Sequence, residues 1–466
     1  MLITSALLAL LEASRFQELR CLTELQTEVA LESVFAKYND DLWREYHILA
    51  CKQENLKSGL IDAGNARAVN EDAGSNFFQF VVSDVDIEAN TRLTDENGLV
   101  FIHAAAEYMK DNLVFEAAKN LYSQYEGMEY LKKSSLFDFF NVKRALEELK
   151  KETSEQNSRG STKEIFVEEY EQKTIKTSKN TFLEDIQKIQ ERGILSLVIE
   201  DTQLLSNKTL ELSQLVSQRL LTEESEVHSV DWYTRILFQQ YLLHHMSCYI
   251  EQKNHAIDYE LEYLIGGKGT EIENLKVVIN QILTMREAAN FTYLMSNPQK
   301  LEEARLMAVS IIGGTLNPAL IEVVKLGILA AWAFAESILD IRTLLAGGHI
   351  SLLKNNENWT LDVDYITSIG TGYGMAKNCS NGLSYVDYLG ILLLFQEDTN
   401  VGKRAMDMEE MTLQRIFKRE ELRFEEWVVA TTVKITYRYS PVFFSVQSKI
   451  PNFSYKMGVR KSFSYN

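Results

Sequence analysis

The segment from Asn317 to Leu345 is the most apolar stretch of the chain, and it constrains the fold more than any other feature. Its length suits a long helix. Pro318 stands where the first helical turn tolerates proline, with Asn317 before it as a cap. The charged residues that interrupt the run are Glu322, Lys325, Glu336, Asp340 and Arg342. Charges at this density argue against a bilayer span, so the segment is predicted to be a core helix.

Composition indicates a globular, helix-rich protein. The 466-residue chain contains 4 prolines and is 45% hydrophobic, which is enough to bury a sizeable core. Its 48 Lys+Arg against 66 Asp+Glu give a formal net charge of −18 at pH 7. Because binding to phosphate backbones needs concentrated Lys and Arg, nucleic acid is excluded as the main partner. The 4 cysteines form no C-x-x-C pair and are predicted to be buried free thiols.

The pattern of elements predicts an α+β fold that is predominantly helical, with a helical core, small antiparallel sheets and a long N-terminal helix. Strands are predicted at 77–87 and at Val433–Tyr439, where apolar and polar residues alternate with a period of two. A short apolar run predicts a buried strand at 193–199. Helices are predicted at about 206–222 and 228–251.

Composition also indicates one clear boundary. Between Lys151 and Asn180 the chain is rich in Lys, Glu, Ser, Thr and Gln and has very few apolar residues, as in a surface insertion or linker. The predicted organisation is an N-terminal, anchor-like helix at 1–50, an α+β segment at 51–150, a polar insertion or linker at 151–180, a mainly helical core domain that ends in a strand at 181–446, and a tail at 447–466.

Glu336 and Asp340 are the candidate catalytic residues. Two carboxylates four residues apart on an apolar helix share one face and shift each other's pKa, as an acid and a base require. Arg342 and Lys325 offer a structural alternative, in which buried ion pairs set the register of the helix. No Ser–His–Asp or G-x-S-x-G pattern accompanies the carboxylates, and the structural alternative is favoured.

No cofactor or metal site is predicted. His244 and Cys248 would share a helical face, but further zinc ligands at matching spacing are missing, so helix packing is favoured there. Gly266–Thr270 departs from the Walker phosphate loop because Gly269 separates the lysine from the threonine, which favours a connection between helices. Gly370–Gly374 lacks the six-residue frame of a dinucleotide fingerprint and is predicted to be a turn.

The chain begins with a short apolar run that continues without a break into an amphipathic helix. Since a bilayer span needs about 20 apolar residues, the run alone is too short. It also lacks the basic start and the cleavage site of a signal peptide. Two interpretations stay open: an ordinary buried helix start, which the residues alone favour, and the end of a longer membrane helix.

Several stretches of the chain share their pattern with one known family. They are Leu11–Arg15, Leu31–Asn39, Leu42–Tyr46, Asp258–Leu264, Arg286–Phe291, Ala331–Gly348 and Asn381–Tyr385 with Asp387 and Tyr388. These stretches resemble an uncharacterised family of Gram-positive bacteria that is similar to proteins accompanying tight-adherence (Tad-type) pilus genes. The resemblance covers roughly residues 5–446.

The resemblance implies an N-terminal pilin-like hydrophobic helix and a large domain outside the cell membrane, and it implies no catalytic residues. The expected function is that of a non-enzymatic, pseudopilin-like accessory component of a Tad-type pilus or secretion apparatus. The residues expected to contact the membrane or the pilus and secretion-system proteins are Leu7, Leu8, Leu10 and Leu11.

The apolar helix of that family is longer, so a complete chain is expected to begin upstream of Met1 and to sit at the extracytoplasmic face of the membrane. If Met1 is the true start, a cytoplasmic location is expected instead. A soluble enzyme that uses the carboxylate pair on the 318–345 helix is the alternative function, and a cytoplasmic scaffold is the third class.

Overall fold

The computed structural model of the protein describes residues 2–65, 78–111, 193–219, 230–312, 318–370, 372, 374–443 and 454–465. The chain divides into two units that are each built from separate stretches. The first contains Met1–Leu113, Ser213–Tyr241 and Asp398–Asn466, and the second contains Val114–Leu212 and Leu242–Glu397. The division into consecutive segments stays a prediction, and the polar segment at 151–180 lies outside the described residues.

The described helices are, in chain order, α1 (Leu2–Phe35), α2 (Asp40–Tyr46), α3 (Glu54–Asn65), α4 (Leu99–Lys110), α5 (Ile194–Val198), α6 (Val216–Arg219), α7 (Trp232–His245), α8 (Glu260–Gly266), α9 (Glu271–Ser296), α10 (Pro298–Ile312), α11 (Pro318–Leu345), α12 (Tyr385–Leu394) and α13 (Asp398–Arg415). The described strands are β1 (Cys51–Lys52), β2 (Val81–Arg92), β3 (Trp427–Tyr439) and β4 (Tyr455–Ser464). An α+β fold that is mostly helical, with a long N-terminal helix and a small antiparallel sheet, is therefore confirmed.

The first unit is organised around β3, which pairs antiparallel with β2, β4 and the short β1. Every second side chain of β3 is buried from Val433 through Ile435 and Tyr437, as the alternation of the sequence predicted. Opposite Ile435 lie Val85 on β2 and Val459 on β4, both buried. These residues and the inner faces of α1 and α3 form one apolar core.

The N-terminal helical block, predicted to run to residue 50, consists of two helices. α1 ends at Phe35, and Asn39 begins α2 by accepting a hydrogen bond from the Leu42 amide at 3.0 Å. The predicted tail at 447–466 is not a tail over the whole of its length, because β4 pairs with β3 along ten residues from Tyr455 to Ser464.

In the second unit the long helices α9 and α11 pack against each other, with α10 beside α11. The C-terminal half of α11 is buried on all sides, which agrees with the prediction of a core helix. α8 is joined to α9 by the connection predicted for the glycine-rich segment. Gly267 ends α8 with a positive φ of 60°, and the Thr270 hydroxyl caps α9.

Two secondary-structure predictions were wrong. Residues 194–198 form the short helix α5 rather than a strand, because an apolar run this short has no period that distinguishes the two. Of the predicted helix at 206–222, only Val216–Arg219 is α-helical among the described residues. Upstream, the Glu271 carboxylate accepts hydrogen bonds from the Ser206 hydroxyl and the Lys208 amide, which holds that segment in an extended form.

Candidate functional site

The candidate residues Glu336 and Asp340 lie on the buried half of α11. Their spacing of one helical turn places both carboxylates on one face, as predicted. Both side chains are 0% exposed. The arrangement is therefore a pair of carboxylates inside the second unit, and its chemistry depends on the groups that neutralise it.

Lys354 and Arg286 supply the neutralising charges. Lys354 Nζ lies 2.5 Å from Glu336 Oε1 and 2.7 Å from Asp340 Oδ1. Arg286 Nε lies 3.0 Å from Asp340 Oδ2. Both cationic side chains are only 1% exposed. Two carboxylates and two cations thus form a buried group that is neutral overall, which we call the charge cluster.

The predicted ion-pair partners of the carboxylates, Arg342 and Lys325, were wrong. The Arg342 guanidinium donates to backbone carbonyl oxygens, among them those of Leu197 at 2.7 Å and Ile369 at 2.9 Å. Lys325 pairs with Glu322 one turn earlier on the same helix, at 2.5 Å. Arg342 lies half a turn from Asp340, so it leaves the helix on another side.

Backbone and side-chain donors complete the charge cluster. Glu336 accepts hydrogen bonds from the amides of Thr360 at 3.0 Å and Leu361 at 2.8 Å. Asp340 Oδ2 accepts one from Asn290 Nδ2 at 3.0 Å. Arg286 also donates hydrogen bonds to the Asn290 side-chain oxygen, to the carbonyl oxygens of Ser351 and Leu352, and to the Tyr388 hydroxyl. The charge cluster therefore joins α9, α11, α12 and the 351–361 segment.

The surroundings shift the pKa values of the two carboxyls in opposite directions. Burial raises the pKa of Glu336, and the charge of Asp340 adds to the rise, which Lys354 only partly offsets. Burial acts in the same sense on Asp340, but Arg286, Lys354 and Asn290 outweigh it and leave its pKa below the usual value. Asp340 is thus held as an anion by its partners.

Four residues at the charge cluster were not predicted from the sequence: Arg286, Asn290, Lys354 and Tyr388. Arg286 and Asn290 stand one turn apart on α9 within the Arg286–Phe291 stretch, and Tyr388 lies in another stretch that carries the resemblance. One signal was present in the sequence: Arg286 lies in one of these stretches and Asp340 in another. Charged residues that are buried in helices need partners of opposite charge, so the two could have been paired. Lys354 lies in a turn-rich segment, and nothing in its local sequence distinguishes it.

A second buried acidic group lies around α8 and was also missed. Glu260 accepts hydrogen bonds from Ser247 and lies 2.6 Å from His255 Nδ1. Glu262 accepts bonds from the Tyr249 amide at 3.0 Å and the Tyr385 hydroxyl at 2.8 Å. Burial raises the pKa of Glu262 to about 7, against the lowering effect of these two hydrogen bonds.

His244 and Cys248 do not share a helical face. α7 ends at His245, so Cys248 leaves the helical face that His244 occupies, and the Cys248 backbone pairs with Glu251 instead. His255 contacts Glu260. Within the described parts of the chain, no group of three or more His, Cys, Asp or Glu residues is arranged to hold a metal ion.

The four leucines expected to contact a membrane or another subunit lie on the first turns of α1. Their exposed fractions are 55% for Leu7, 42% for Leu8, 68% for Leu10 and 48% for Leu11. A buried helix start is therefore wrong for these residues. Over the described ranges, no helix combines the length and the apolar composition that a membrane crossing requires.

Comparison with known proteins places the chain in a family. No curated protein and no solved structure shows significant similarity to it. The pattern of a family of unknown function, DUF5702, matches residues 171–439, which is more than half of the chain. The match covers all of the charge cluster and the α8 acidic group. The chain therefore belongs to this family of unknown function, DUF5702.

Proposed function

We propose that the protein is a non-enzymatic, pseudopilin-like accessory component of a Tad-type pilus or secretion apparatus at the extracytoplasmic face of the cell membrane. The observation that carries this proposal is the exposed apolar start of α1. Ile3, Leu7 and Leu10 are 78%, 55% and 68% exposed on the first turns of one helix. Large apolar side chains grouped at such exposure are typical of a surface that contacts another protein or lipid.

The rest of α1 fixes the exposed start of the helix to the first unit. Glu12 and Arg15 form a buried ion pair at 2.9 Å, and from there one face of the helix is held in the core of the first unit. Leu19 and Thr27 are fully buried on that face, and the Thr27 hydroxyl lies 2.9 Å from the Tyr437 hydroxyl. The ten residues of α1 before Glu12 extend the helix by about 15 Å, at about 1.5 Å per residue.

The charge cluster supports the non-enzymatic part of the proposal. A general acid or base must come within hydrogen-bond reach of a substrate. Glu336 and Asp340 are instead closed off from water and bonded to Lys354 and Arg286. In this arrangement the carboxylates connect helices, so the alternative of an enzyme that uses them has no observation in its favour.

The class of partner rests on the resemblance of stretches such as Leu31–Asn39 and Arg286–Phe291 to proteins that accompany Tad-type pilus genes. Pilin-like helices associate through apolar side chains packed along their length. The exposed leucines of α1 offer side chains of this kind, which makes other pilin-like helices, or the membrane, the expected contact.

The test is site-specific photo-cross-linking in cells that make the natural, full-length protein. A photoreactive residue in place of Leu7 or Leu10 is expected to cross-link to pilus or secretion-system subunits, or to lipid. The same residue in place of Glu32, which is exposed on the anchored part of α1, is the matched control and is expected to give no such product.

Fractionation of the same cells completes the experiment. The proposal expects the protein in the membrane or in a sheared surface fraction. Recovery in the cytosol, with no product at Leu7 or Leu10 beyond that at Glu32, would overturn it. Such a result would favour a cytoplasmic scaffold or a soluble enzyme instead.

A further inference from the structure

The sheet of the first unit has two long outer strands. β3 lies between β2 and β4, and within the described residues β2 and β4 pair with no other strand. β2 spans 12 residues and β4 spans 10. An outer strand leaves one row of amide and carbonyl groups that another strand is able to pair with.

The two outer strands carry opposite charges. β2 contains Asp84, Asp86 and Glu88, and its one basic residue is the last, Arg92. β4 contains the three basic residues Lys456, Arg460 and Lys461 and no acidic residue. In a chain whose formal net charge is −18, an outer strand with three basic residues and no acid is a local reversal of sign.

The two sets of charges already attract each other inside one sheet. Arg460 Nε reaches across β3 to Glu88 Oε2 at 2.6 Å. Asp84 and Asp86 on β2 and Lys456 on β4 are exposed, and none of them has an ion-pair partner among the residues that the structure describes. Asp86 lies opposite Lys434 of β3, whereas Asp84 lies opposite the uncharged Thr436 and Lys456 lies opposite the like-charged Arg438. The charges of Asp84 and Lys456 in particular are therefore available to a partner.

These charges discriminate between the ways in which two copies of the sheet could meet. Pairing β2 with β2, or β4 with β4, places like charges opposite each other, which is destabilising. Pairing β4 with β2 of another copy places opposite charges together. β2 and β4 run in the same direction, since each is antiparallel to β3, so a translated copy would add a parallel strand pair.

The register of β2 shows where such pairing fits. Irregularities lie between Val82 and Asp84 and between Ile87 and Ala89, and they leave Asp84–Ile87 as a regular stretch. Asp84 and Asp86 are both in this stretch. β4 pairs with β3 in unbroken register along its whole length, so its outer edge is regular too.

We propose that the protein self-associates head to tail, with the basic outer edge of β4 paired to the acidic outer edge of β2 in a second copy. This inference goes beyond the proposed function because it does not depend on α1. Either proposal can therefore fail while the other holds. Charged residues on outer strands can also serve only to prevent aggregation, and for that purpose positive and negative charges are equally effective. The separation of signs between the two edges is what favours a second copy, and such a head-to-tail contact builds rings or open filaments.

The first test is sedimentation velocity of the unaltered full-length protein over a range of concentrations and salt. Reversible association is expected at about 0.01 M ionic strength, where charges interact over about 30 Å, and it should weaken about tenfold or more at about 1 M, where that length is about 3 Å. A protein that stays monomeric in both conditions overturns the proposal.

The second test exchanges the charges of the edges. The variant K456E/R460E makes β4 acidic, and the variant D84K/D86K makes β2 basic. Each alone is expected to be monomeric, whereas an equimolar mixture should associate again, because each chain then offers the complement of the other. The control K37E/K57E reverses two exposed lysines outside the strands and is expected to associate like the unaltered protein.

Circular dichroism spectra establish that the variants keep the fold. If both variants are folded and their mixture stays monomeric, the pairing of β4 with β2 is wrong. If either variant fails to fold, the salt dependence of the unaltered protein decides alone. Failure of this inference leaves the cross-linking at Leu7 and Leu10 untouched, so the two proposals are separable.

Discussion

Arg286 on α9 and Asp340 on α11 form an ion pair inside the second unit, with 3.0 Å between Nε and Oδ2 and side chains that are 1% and 0% exposed. Two long helices are thus joined by charge inside the unit, where the cost of removing both groups from water offsets much of their attraction. The pair also brings in Lys354 and Tyr388, so it sets where α12 and the segment after α11 meet these helices. Loss of one member should therefore affect the whole second unit.

Removing the Asp340 carboxylate tests this role. D340A is expected to lower the free energy of unfolding by about 3–5 kcal/mol, because it leaves Arg286 buried without its counter-charge and removes one of the two carboxylates that Lys354 contacts. Urea denaturation followed by tryptophan fluorescence measures the effect, since Trp332 and Trp359 are buried in the same unit. The double variant R286M/D340L should recover part of the loss, because it removes a charge from each side.

The control for this experiment is E322A. Glu322 pairs with Lys325 on the same helix, but its side chain is 58% exposed, so its removal is expected to cost less than about 1 kcal/mol. Equal losses in D340A and E322A would show that burial does not distinguish the two pairs, and the account of the charge cluster would be wrong.

Glu262 predicts a dependence of stability on pH. Its pKa is raised by burial from 4.5 to about 7, so the folded protein binds this proton more tightly than the unfolded chain does. The stabilisation is present in full below the unfolded pKa and is lost as pH rises through about 7. Over that range the group is expected to remove about 3 kcal/mol from the free energy of unfolding.

The measurement compares the unaltered protein with E262Q in denaturant at several pH values between 4.5 and 8. E262Q should lack this part of the pH dependence, because its amide does not titrate. E273Q alters an exposed glutamate on α9 and should keep it. A pH profile of E262Q that matches the profile of the unaltered protein would contradict the prediction.

Much of the architecture followed from period and composition. The helix at 318–345 and the strand at Val433–Tyr439 are long or regular enough for one periodicity to dominate, and both are present. Residues 194–198 are too few to show a period. The segment at 206–208 is held by hydrogen bonds to Glu271, which lies more than 60 residues away in the chain. Contacts of that kind are invisible to a local pattern.

The candidate site was predictable only in part. The spacing of Glu336 and Asp340 gave their common face, because a helix repeats every 3.6 residues. Their partners Arg286 and Lys354 come from other elements, and no local rule identifies which cation meets which carboxylate. Arg342 was the nearest cation in sequence, but its position on the helix turns it toward the carbonyl oxygens of other segments.

α1 should respond to mutation in two different ways along its length. L19A is expected to lower the free energy of unfolding by about 2–5 kcal/mol, because Leu19 is fully buried in the core of the first unit. L10A should change it by less than about 0.5 kcal/mol, because Leu10 is 68% exposed. Thermal and urea denaturation of both variants measures the difference. A large loss in L10A would mean that the start of α1 is packed, which would remove the basis for its role as a contact surface.

Gly382 gives the most local prediction. A Cβ at this position would lie 2.5 Å from the Ile350 carbonyl carbon and 2.7 Å from its oxygen, closer than real contacts allow. The backbone there is held by the exchange of hydrogen bonds between Ile350 and Leu383, at 2.9 and 2.8 Å, so it cannot move aside without losing them. G382A is therefore expected to destabilise the second unit by about 1–3 kcal/mol, as overpacking does.

The matched control is G374A, whose Cβ would meet the Leu339 side chain at an ordinary 3.7 Å and which should be tolerated. Hydrogen exchange at the Ile350 and Leu383 amides reports the loss directly, and unchanged protection in G382A would mean that this close approach does not exist.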